Sequence, residues 1–398
     1  MADESADWKV AGLRQIDRIV LALNEFFVHL SGPGSIPVSV RGGNYAITSA
    51  QRLGKLRFTS DQNQVTQGEV FVTSTRFVFE RGSLASAFTS SSEGRLPGLI
   101  VSPDNTLDQS QNLQAIGNEG VDNRSWIYLR NHGDVAQATS HLLRSTGKSQ
   151  DGLVSRLINR PLSRALSQLL IRLPVSPNQL TLLFMLLPIA GGLFILRGDY
   201  YGFAIGAILF QLHSAVDGCD GEIARTKYLE TDFGGKLDGV CDRLSTLCFA
   251  VSLGFGLARH FGNADSIRWV YAAEGLIAAA LIGVAETLLT RHRIEADGAL
   301  ERDNYRRFVS ANRQIFNKGD QLKLWMIRGT GMLSLGGAAT SVFGELTKRD
   351  VFNFVFMLLA LFGLAQWVLH ILAVCACLIV LVAVKAAVAP AFDANPAA

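Results

Sequence analysis

Residues 217–242 read DGCDGEIARTKYLETDFGGKLDGVCD, which places carboxylates at Asp217, Asp220, Asp238 and Asp242. The first two are spaced i,i+3 and the last two i,i+4, so on helices each pair shares one face. Apolar runs flank the segment, and carboxylates this close to lipid are costly unless they bind cations or one another. Four oxygen donors on two facing helices are typical of a hard divalent cation, Mg²⁺ or Mn²⁺, rather than zinc. The segment therefore predicts a metal site.

The spacing also resembles, at every fixed position, the D-x2-D-G-x2-A-R-x8-G-x3-D-x3-D signature of the CDP-alcohol phosphotransferase family. The alternative interpretation of the cluster is a solvated acidic loop between helices. The resemblance extends from about Asp151 through the C-terminal part of the chain. The residues that match the signature are Asp217, Asp220, Gly221, Ala224, Arg225, Gly234, Asp238 and Asp242.

This resemblance implies the transfer of a substituted phosphoryl group from a CDP-activated alcohol to a second alcohol, with release of CMP. It implies a two-metal site that contains Mg²⁺ or Mn²⁺. Asp242 is the general base of the family and is also assigned to the metal, and a homodimer is implied as well. The predicted metal ligands are Asp217, Asp220, Asp238 and Asp242.

The predicted CDP-binding residues surround these carboxylates in the sequence. Gly221 and Ala224 lack bulk, which would let a cytidine approach the backbone closely, although helix packing is an alternative role. Arg225 offers planar donors to phosphate. The resemblance adds Asn178 and Thr181, which a simple helix start at S-P-N-Q-L-T (176–181) would also explain. Thr231 and Gly234 complete the set.

Six membrane spans are predicted in the second half of the chain, whereas residues 1–150 contain no apolar run long enough to cross a bilayer. The chain has 398 residues, of which 48% are hydrophobic. We expect the second span to continue as a helix through the first aspartate pair. The predicted spans are Leu180–Leu196, Tyr201–Val216, Leu237–Leu257, Trp269–Leu289, Val351–Gln366 and Val368–Val384.

The distribution of lysine and arginine predicts how the spans are oriented in the membrane. Lysines and arginines concentrate between the fourth and fifth spans, from Arg291 to Arg349, while the opposite loops carry only Arg197, Arg259 and Arg268. The positive-inside rule then places both termini and the active site on the cytoplasmic side of a prokaryotic-type cytoplasmic membrane. The formal net charge of +3 gives no electrostatic basis for binding nucleic acid.

Residues 153–173 predict an amphipathic helix before the first span. Leucines follow one face, and Arg156, Arg160 and Arg164 recur on another. Such a helix can lie in the membrane interface, and packing on a cytosolic domain is the alternative. Pro161 is expected to kink or divide it.

An α/β pattern in residues 1–146 predicts a cytosolic nucleotidyltransferase-like domain, followed by a linker at 147–178 and the transmembrane domain at 179–390. The predicted elements of this domain are helices at about Leu13–Leu30 and Val135–Leu143 and strands at about Pro37–Val40, Val70–Thr73, Leu99–Val101 and Trp126–Leu129. The join HLLRSTGKSQDGLVSRLINRPLSR, from His141 to Arg164, resembles the linker of bifunctional enzymes that pair an inositol-phosphate cytidylyltransferase with a di-myo-inositol phosphate phosphate synthase. No G-x-G-T-R loop precedes the first helix, and Ser74-Thr75 stands where a metal-binding aspartate is expected. We therefore interpret this domain as a catalytically inactive remnant.

Together these patterns predict a six-span α-helical membrane enzyme with an interfacial amphipathic helix and an N-terminal α/β domain. The donor is expected to be CDP-diacylglycerol or a CDP-polyol, and the linker favours an inositol-type acceptor. A non-enzymatic ion-binding or scaffold protein in the membrane is the alternative. His213, one turn before Asp217, is interpreted as a structural histidine, with a role beside the aspartates as its alternative.

Overall fold

Short strands occupy the N-terminal part of the chain, and long helices follow them. A computed structural model describes residues 2–30, 35–40, 45–49, 52, 54, 56–58, 70–81, 100–102, 126–146, 152–262, 267–284 and 349–388. The basic segment predicted between the fourth and fifth spans lies outside these residues, apart from Arg349.

The chain folds into two compact units. The first comprises Met1–Gly147, Arg164–Pro177 and Cys219–Glu230, and the second comprises Lys148–Ser163, Asn178–Gly218 and Thr231–Ala398. The first unit therefore contains part of the aspartate motif together with the N-terminal residues. The domain boundaries drawn from the sequence stay predictions.

The first unit is built around the N-terminal helix Gln15–Leu30. The sequence predicted this helix from Leu13, but Leu13–Arg14 pairs with Lys9–Val10 as an antiparallel strand and delays the start of the helix. A second helix, Asp134–Ser145, lies where the sequence predicted one at Val135–Leu143.

Eight short strands pair two by two in the described part of this unit. Strands are present at or beside the four positions predicted from the sequence, and β1, β2, β4 and β6 were not predicted. Aromatic side chains fill the core, where the rings of Phe77 and Trp126 lie 5.1 Å apart. The strands are β1 (Lys9–Val10), β2 (Leu13–Arg14), β3 (Ile36–Val38), β4 (Leu56–Phe58), β5 (Val70–Val72), β6 (Phe77–Phe79), β7 (Ile100–Ser102) and β8 (Trp126–Tyr128).

The helices of the second half identify the chain as a membrane protein. Among the described residues, four helices are long and apolar enough to cross a bilayer, and they overlap the first four predicted spans. The fifth and sixth predicted spans fall on helices Arg349–Leu361 and Ala365–Val388. The four long helices are Pro177–Ile195, Tyr200–Thr226, Asp232–His260 and Ile267–Val284.

The second long helix confirms the predicted continuation through the first aspartate pair. Its parts are Tyr200–Val216 and Gly218–Thr226, and we call the latter the first motif helix. Asp217 joins them in a helical conformation, with φ −52° and ψ −33°. Helix Asp232–His260, the second motif helix, carries the other two predicted aspartates.

The core of the second unit is dominated by aromatic and small residues. Phe249 packs against Phe356 with ring centroids 4.4 Å apart. A Cβ added at Gly254 would lie 2.8 Å from the Cα of Gly275, so the two helix backbones meet where both residues lack a side chain. Small residues permit such close helix approach in membrane proteins.

The predicted amphipathic helix is present in two parts. A π-helical turn at Ser155–Asn159 precedes the α-helix Arg160–Leu170. Pro161 has no N–H to donate, and the widened turn directly before it accommodates that loss. Leu157 and Leu169 are each 68% exposed, so the apolar face is open in the described part of the chain. On the polar face, Asn159 is buried and donates to the backbone oxygen of Ser214 at 3.3 Å.

Candidate functional site

The continuous helix through residue 217 sets the first part of the site. The Asp217 N–H donates to the His213 carbonyl oxygen at 2.9 Å, an ordinary helical bond between residues one turn apart. Both side chains therefore lie on one face of the helix. The i,i+4 spacing of His213 and Asp217 was visible in the sequence.

A threonine cap sets the start of the second motif helix. The Thr231 hydroxyl oxygen accepts the N–H of Gly234 at 3.0 Å, which satisfies a donor that has no partner within the helix. Asp238 and Asp242 then follow on this helix, one turn apart, and both are half-buried.

Three side chains from the two long helices converge in the second unit. One ligand atom from each of His213, Asp217 and Asp242 lies within 4.8 Å of the others. His213 is only 4% exposed, and the two aspartates are half-buried. Two carboxylates and an imidazole within this distance are a chemically suitable donor set for a divalent cation. Both aspartates belong to the predicted metal site, whereas the sequence favoured a structural role for the histidine.

The other two predicted ligands have different surroundings. Asp238 lies one turn before Asp242 and, among the described residues, outside the group of three. Asp220 belongs to the first unit, where it is 7% exposed and accepts the N–H of Gly221 at 2.5 Å. The metal-binding roles of all four aspartates remain predictions.

Three predicted CDP-binding residues meet at the start of the second motif helix. A Cβ added at Gly234 would lie 2.9 Å from Asn178 Oδ1 and 3.1 Å from Thr231 Oγ1. Asn178 belongs to helix Pro177–Phe184, which begins at the proline as the sequence predicted. Thr181 is buried on the same helix. The absence of a side chain at Gly234 therefore lets the two polar side chains approach the helix start.

The remaining three predicted CDP-binding residues lie on the first motif helix. The guanidinium of Arg225 lies over Gly221, where an added Cβ would be 3.1 Å from Nη1. Ala224 is buried on the same helix. A Cβ at residue 221 would require the guanidinium to shift by a few tenths of an ångström, so the glycine leaves the space that the arginine occupies.

The N-terminal residues contain a polar network around Thr75. The Thr75 hydroxyl lies 2.7 Å from that of Ser5, and both side chains are buried. Asp17, on helix Gln15–Leu30, is also buried. Its carboxylate accepts hydrogen bonds from the Thr48 hydroxyl and the Ser49 N–H, each at 2.8 Å. The buried polar groups of Ser5, Thr75 and Asp17 thus have hydrogen-bond partners within the protein, as a structural role requires. Sequence reasoning missed the buried carboxylate because both of its partners are distant in the chain.

The part of the chain that carries the aspartate motif is similar to known proteins. Residues 174–309 match the sequence model described as CDP-alcohol phosphatidyltransferase. A protein from Aquifex aeolicus named "Bifunctional IPC transferase and DIPP synthase" is 37% identical over 149 residues, which are 37% of this chain and 33% of the relative. A protein of the same name from Thermococcus kodakarensis is 31% identical over 202 residues, 50% of this chain and 43% of the relative.

A shorter protein is also similar to this chain. The "Phosphatidylinositol phosphate synthase" of Corynebacterium glutamicum is 35% identical over 94 residues, which are 24% of this chain and 42% of the relative. The chain thus spans less than half the length of each of these three proteins. The matches confirm the resemblance inferred from the eight motif positions.

Proposed function

We propose that this chain, which carries a CDP-alcohol phosphatidyltransferase domain at residues 174–309, is a membrane transferase that moves a substituted phosphoryl group from a CDP-alcohol to an acceptor alcohol. The observation that carries the proposal is the convergence of Asp217 and Asp242, from two different helices, on one group with His213. An enzyme for this reaction needs charge neutralisation at a diphosphate and a base for a hydroxyl, and carboxylates can serve both needs.

In the proposed reaction the Asp242 carboxylate takes the proton from the acceptor hydroxyl. The acceptor oxygen then forms a bond to the β-phosphorus of the CDP-alcohol, while the bond from that phosphorus to the bridging oxygen breaks and CMP leaves. Arg225 is assigned to the phosphate groups, where its planar donors match the oxygen geometry. Asn178, Thr181, Thr231 and Gly234 are assigned to the nucleotide, together with Gly221 and Ala224.

The proposed cofactor is Mg²⁺ or Mn²⁺ at a two-metal site. Bound divalent cations would neutralise the diphosphate and stabilise the leaving oxygen of CMP. The proposed protein ligands are the motif carboxylates Asp217, Asp220, Asp238 and Asp242. His213 adds a nitrogen donor to Asp217 and Asp242, a donor type that Mg²⁺ rarely takes.

Replacing Gly234 with alanine is expected to weaken CDP-alcohol binding, since the new methyl group would lie 2.9 Å from Asn178 Oδ1. We expect the KM for the donor to rise about tenfold, as for a loss of about 1.4 kcal/mol of binding energy. Steady-state CMP release at varied donor concentration measures this. Gly235→Ala is the matched control, because a Cβ at Gly235 would meet nothing within 4 Å. Equal KM values for the two variants would contradict the assignment.

The proposed acceptor is an inositol phosphate. The support comes from the relatives, which include a phosphatidylinositol phosphate synthase and the "Archaetidylinositol phosphate synthase" of Pyrococcus horikoshii. The donor is either CDP-diacylglycerol, for a phospholipid product, or a CDP-polyol, for a polyol phosphodiester. To test the function, membranes containing the chain are supplied with each labelled donor, a panel of alcohols and Mg²⁺ or Mn²⁺. A new phosphodiester together with CMP supports the function, and intact donor in every combination contradicts it.

The proposed topology has six spans in a prokaryotic-type cytoplasmic membrane, with both termini and the active site on the cytoplasmic side. Its support is the excess of lysine and arginine between the fourth and fifth predicted spans. On this topology cytosolic nucleotides reach the site directly. The leucine face of helix Arg160–Leu170 would lie in the interface, and the active protein is proposed to be a homodimer.

The N-terminal domain is proposed to be a nucleotidyltransferase-like remnant without activity. Thr75 stands where a metal-binding carboxylate would be expected, and its hydroxyl is engaged with Ser5. We expect the full chain to release no pyrophosphate from CTP in the presence of sugar phosphates or inositol phosphate. A coupled pyrophosphate assay checks this. Release that increases in proportion to the amount of protein would overturn the proposal.

A further inference from the structure

The end of the first motif helix and the loop that follows it receive hydrogen bonds and an ion pair from three arginines of the N-terminal residues. This loop, Lys227–Glu230, lies between the two halves of the aspartate motif and belongs to the first unit. The helix that precedes it carries Asp220, Gly221 and Arg225. Whatever fixes the end of this helix therefore positions one proposed metal ligand, Asp220, and two residues assigned to the donor, Gly221 and Arg225.

Arg18 holds the last carbonyl of the helix. Its Nη1 donates to the Thr226 oxygen at 2.8 Å and its Nη2 donates to the Val10 oxygen at 2.7 Å. The side chain is 2% exposed. Burial lowers the pKa of this arginine to about 10, with the Tyr228 side chain opposing the shift, so the guanidinium is still charged at neutral pH. A buried cation at a helix C-terminus interacts favourably with the carbonyl end of the helix dipole.

Arg52 and Arg81 hold the loop itself. Arg52 Nη2 donates to the Lys227 oxygen at 3.1 Å. Arg81 forms ion pairs with Glu25 and Glu230, and its guanidinium carbon lies 5.3 Å from the centre of the Tyr228 ring. The aromatic ring also packs against the core of the first unit. The two arginines thus contact Lys227, Tyr228 and Glu230 of the loop.

Tyr228 adopts a backbone conformation that usually belongs to glycine. Its φ is +54°, and the helix ends in a Schellman motif in which the Leu229 N–H donates to the Ala224 oxygen at 2.8 Å. A tyrosine in this position carries a steric penalty that glycine would avoid. The packing of its ring beneath Arg81 offsets that penalty, which identifies the side chain as an anchor for the loop.

We propose that Arg18, Arg52 and Arg81 are positioning residues, through which the N-terminal residues hold the first motif helix in the orientation that binds the CDP moiety of the donor. The inference rests on the proposed CDP-alcohol transfer and assigns the N-terminal residues a part in that reaction. No nucleotidyl transfer by these residues is required, because the contacts act on the end of a helix that carries Asp220 and Arg225.

The first test compares two arginines that have the same kinds of partners. Arg76 pairs with Asp3 and Glu4 and lies 5.6 Å from the Trp8 ring centre, which matches the two carboxylates and one ring around Arg81. Arg76 also donates to the backbone oxygens of Leu129 and Arg130, and these partners all lie outside the loop. Arg76→Met therefore removes at least as many of these interactions as Arg81→Met, but only Arg81→Met releases the loop.

We expect Arg81→Met to raise the dissociation constant for CMP, measured by calorimetry on the full chain with Mn²⁺, about three- to tenfold. The KM for the donor used by the unmodified chain should rise in parallel, while kcat falls less. Arg76→Met should leave both constants unchanged. Arg18→Met should give a larger increase, and circular dichroism checks that this variant folds.

The outcomes distinguish the positioning role of the arginines from the proposed CDP-alcohol transfer. Equal CMP affinity in the Arg81 and Arg76 variants would show that the arginine contacts are only structural, as would a lowered melting temperature of Arg81→Met with unchanged affinity. In either case CMP release by the unmodified chain would leave the proposed function standing. If the unmodified chain neither binds CMP nor releases it from any donor, the proposed function fails, and the positioning role fails with it.

Discussion

Replacing Asp242 with asparagine is expected to reduce CMP formation roughly 10²- to 10⁴-fold, the usual contribution of a general base. An amide of the same shape cannot take a proton from the acceptor hydroxyl. The half-buried carboxylate lies with Asp217 and His213 in one group, so the substitution removes a charge while retaining the shape of the site. Labelled CMP, separated from the donor after incubation with the acceptor, measures the rate.

Asp232 provides the control for this experiment. It lies in the first turn of the second motif helix, is exposed, and occupies no motif position. Asp232→Asn should retain full activity, and both variants should show the melting temperature of the unmodified chain to within a few degrees. Undiminished CMP formation by Asp242→Asn would exclude the residue as the base. If the unmodified chain forms no CMP yet binds Mn²⁺, the scaffold or ion-binding alternative is favoured.

Removal of divalent cations should abolish the reaction, and Asp217→Asn should lower the affinity for Mn²⁺ roughly 100-fold, the upper end of the losses seen when a group that supports a metal site is removed. Asp217 is predicted as a direct ligand, and it shares its group with a second carboxylate and an imidazole. Electron paramagnetic resonance of free Mn²⁺, titrated with the full chain, measures binding without reference to activity.

His213→Gln provides an informative comparison. It removes the nitrogen donor but retains both carboxylates, so we expect Mn²⁺ affinity to fall less than in Asp217→Asn. The rate with Mg²⁺ should change least, because Mg²⁺ favours oxygen ligands. A chelated sample should recover its activity when Mg²⁺ or Mn²⁺ is added back. Unaltered Mn²⁺ affinity in Asp217→Asn would remove that residue from the metal site.

The sequence was most informative where local spacing decides the structure. The helix through Asp217 and the helix start at Pro177 both follow from local preferences of the chain. Long apolar runs gave the four long helices for the same reason, because a bilayer requires about 20 apolar residues in a row. The predicted start of the N-terminal helix was less accurate, because Leu13–Arg14 pairs with the neighbouring strand Lys9–Val10 and the helix begins only at Gln15.

Pairings between distant residues were beyond sequence reasoning. Asn178 approaches Gly234 from a different helix, and Arg18 reaches Thr226 across 208 positions of the chain. No local pattern encodes either contact. The interpretation of His213 shows the same limit, because its spacing to Asp217 was visible but its approach to Asp242 was not.

The amino-acid sequence by itself determined the aspartate motif, the helices that carry it and the family to which the motif points, because side-chain spacing along a helix is a local property. The tertiary structure alone decided that His213 joins Asp217 and Asp242, and that arginines near the N-terminus hold the loop after the first motif helix. Such contacts depend on how helices and strands pack, and packing is set by the whole set of buried surfaces rather than by any one segment.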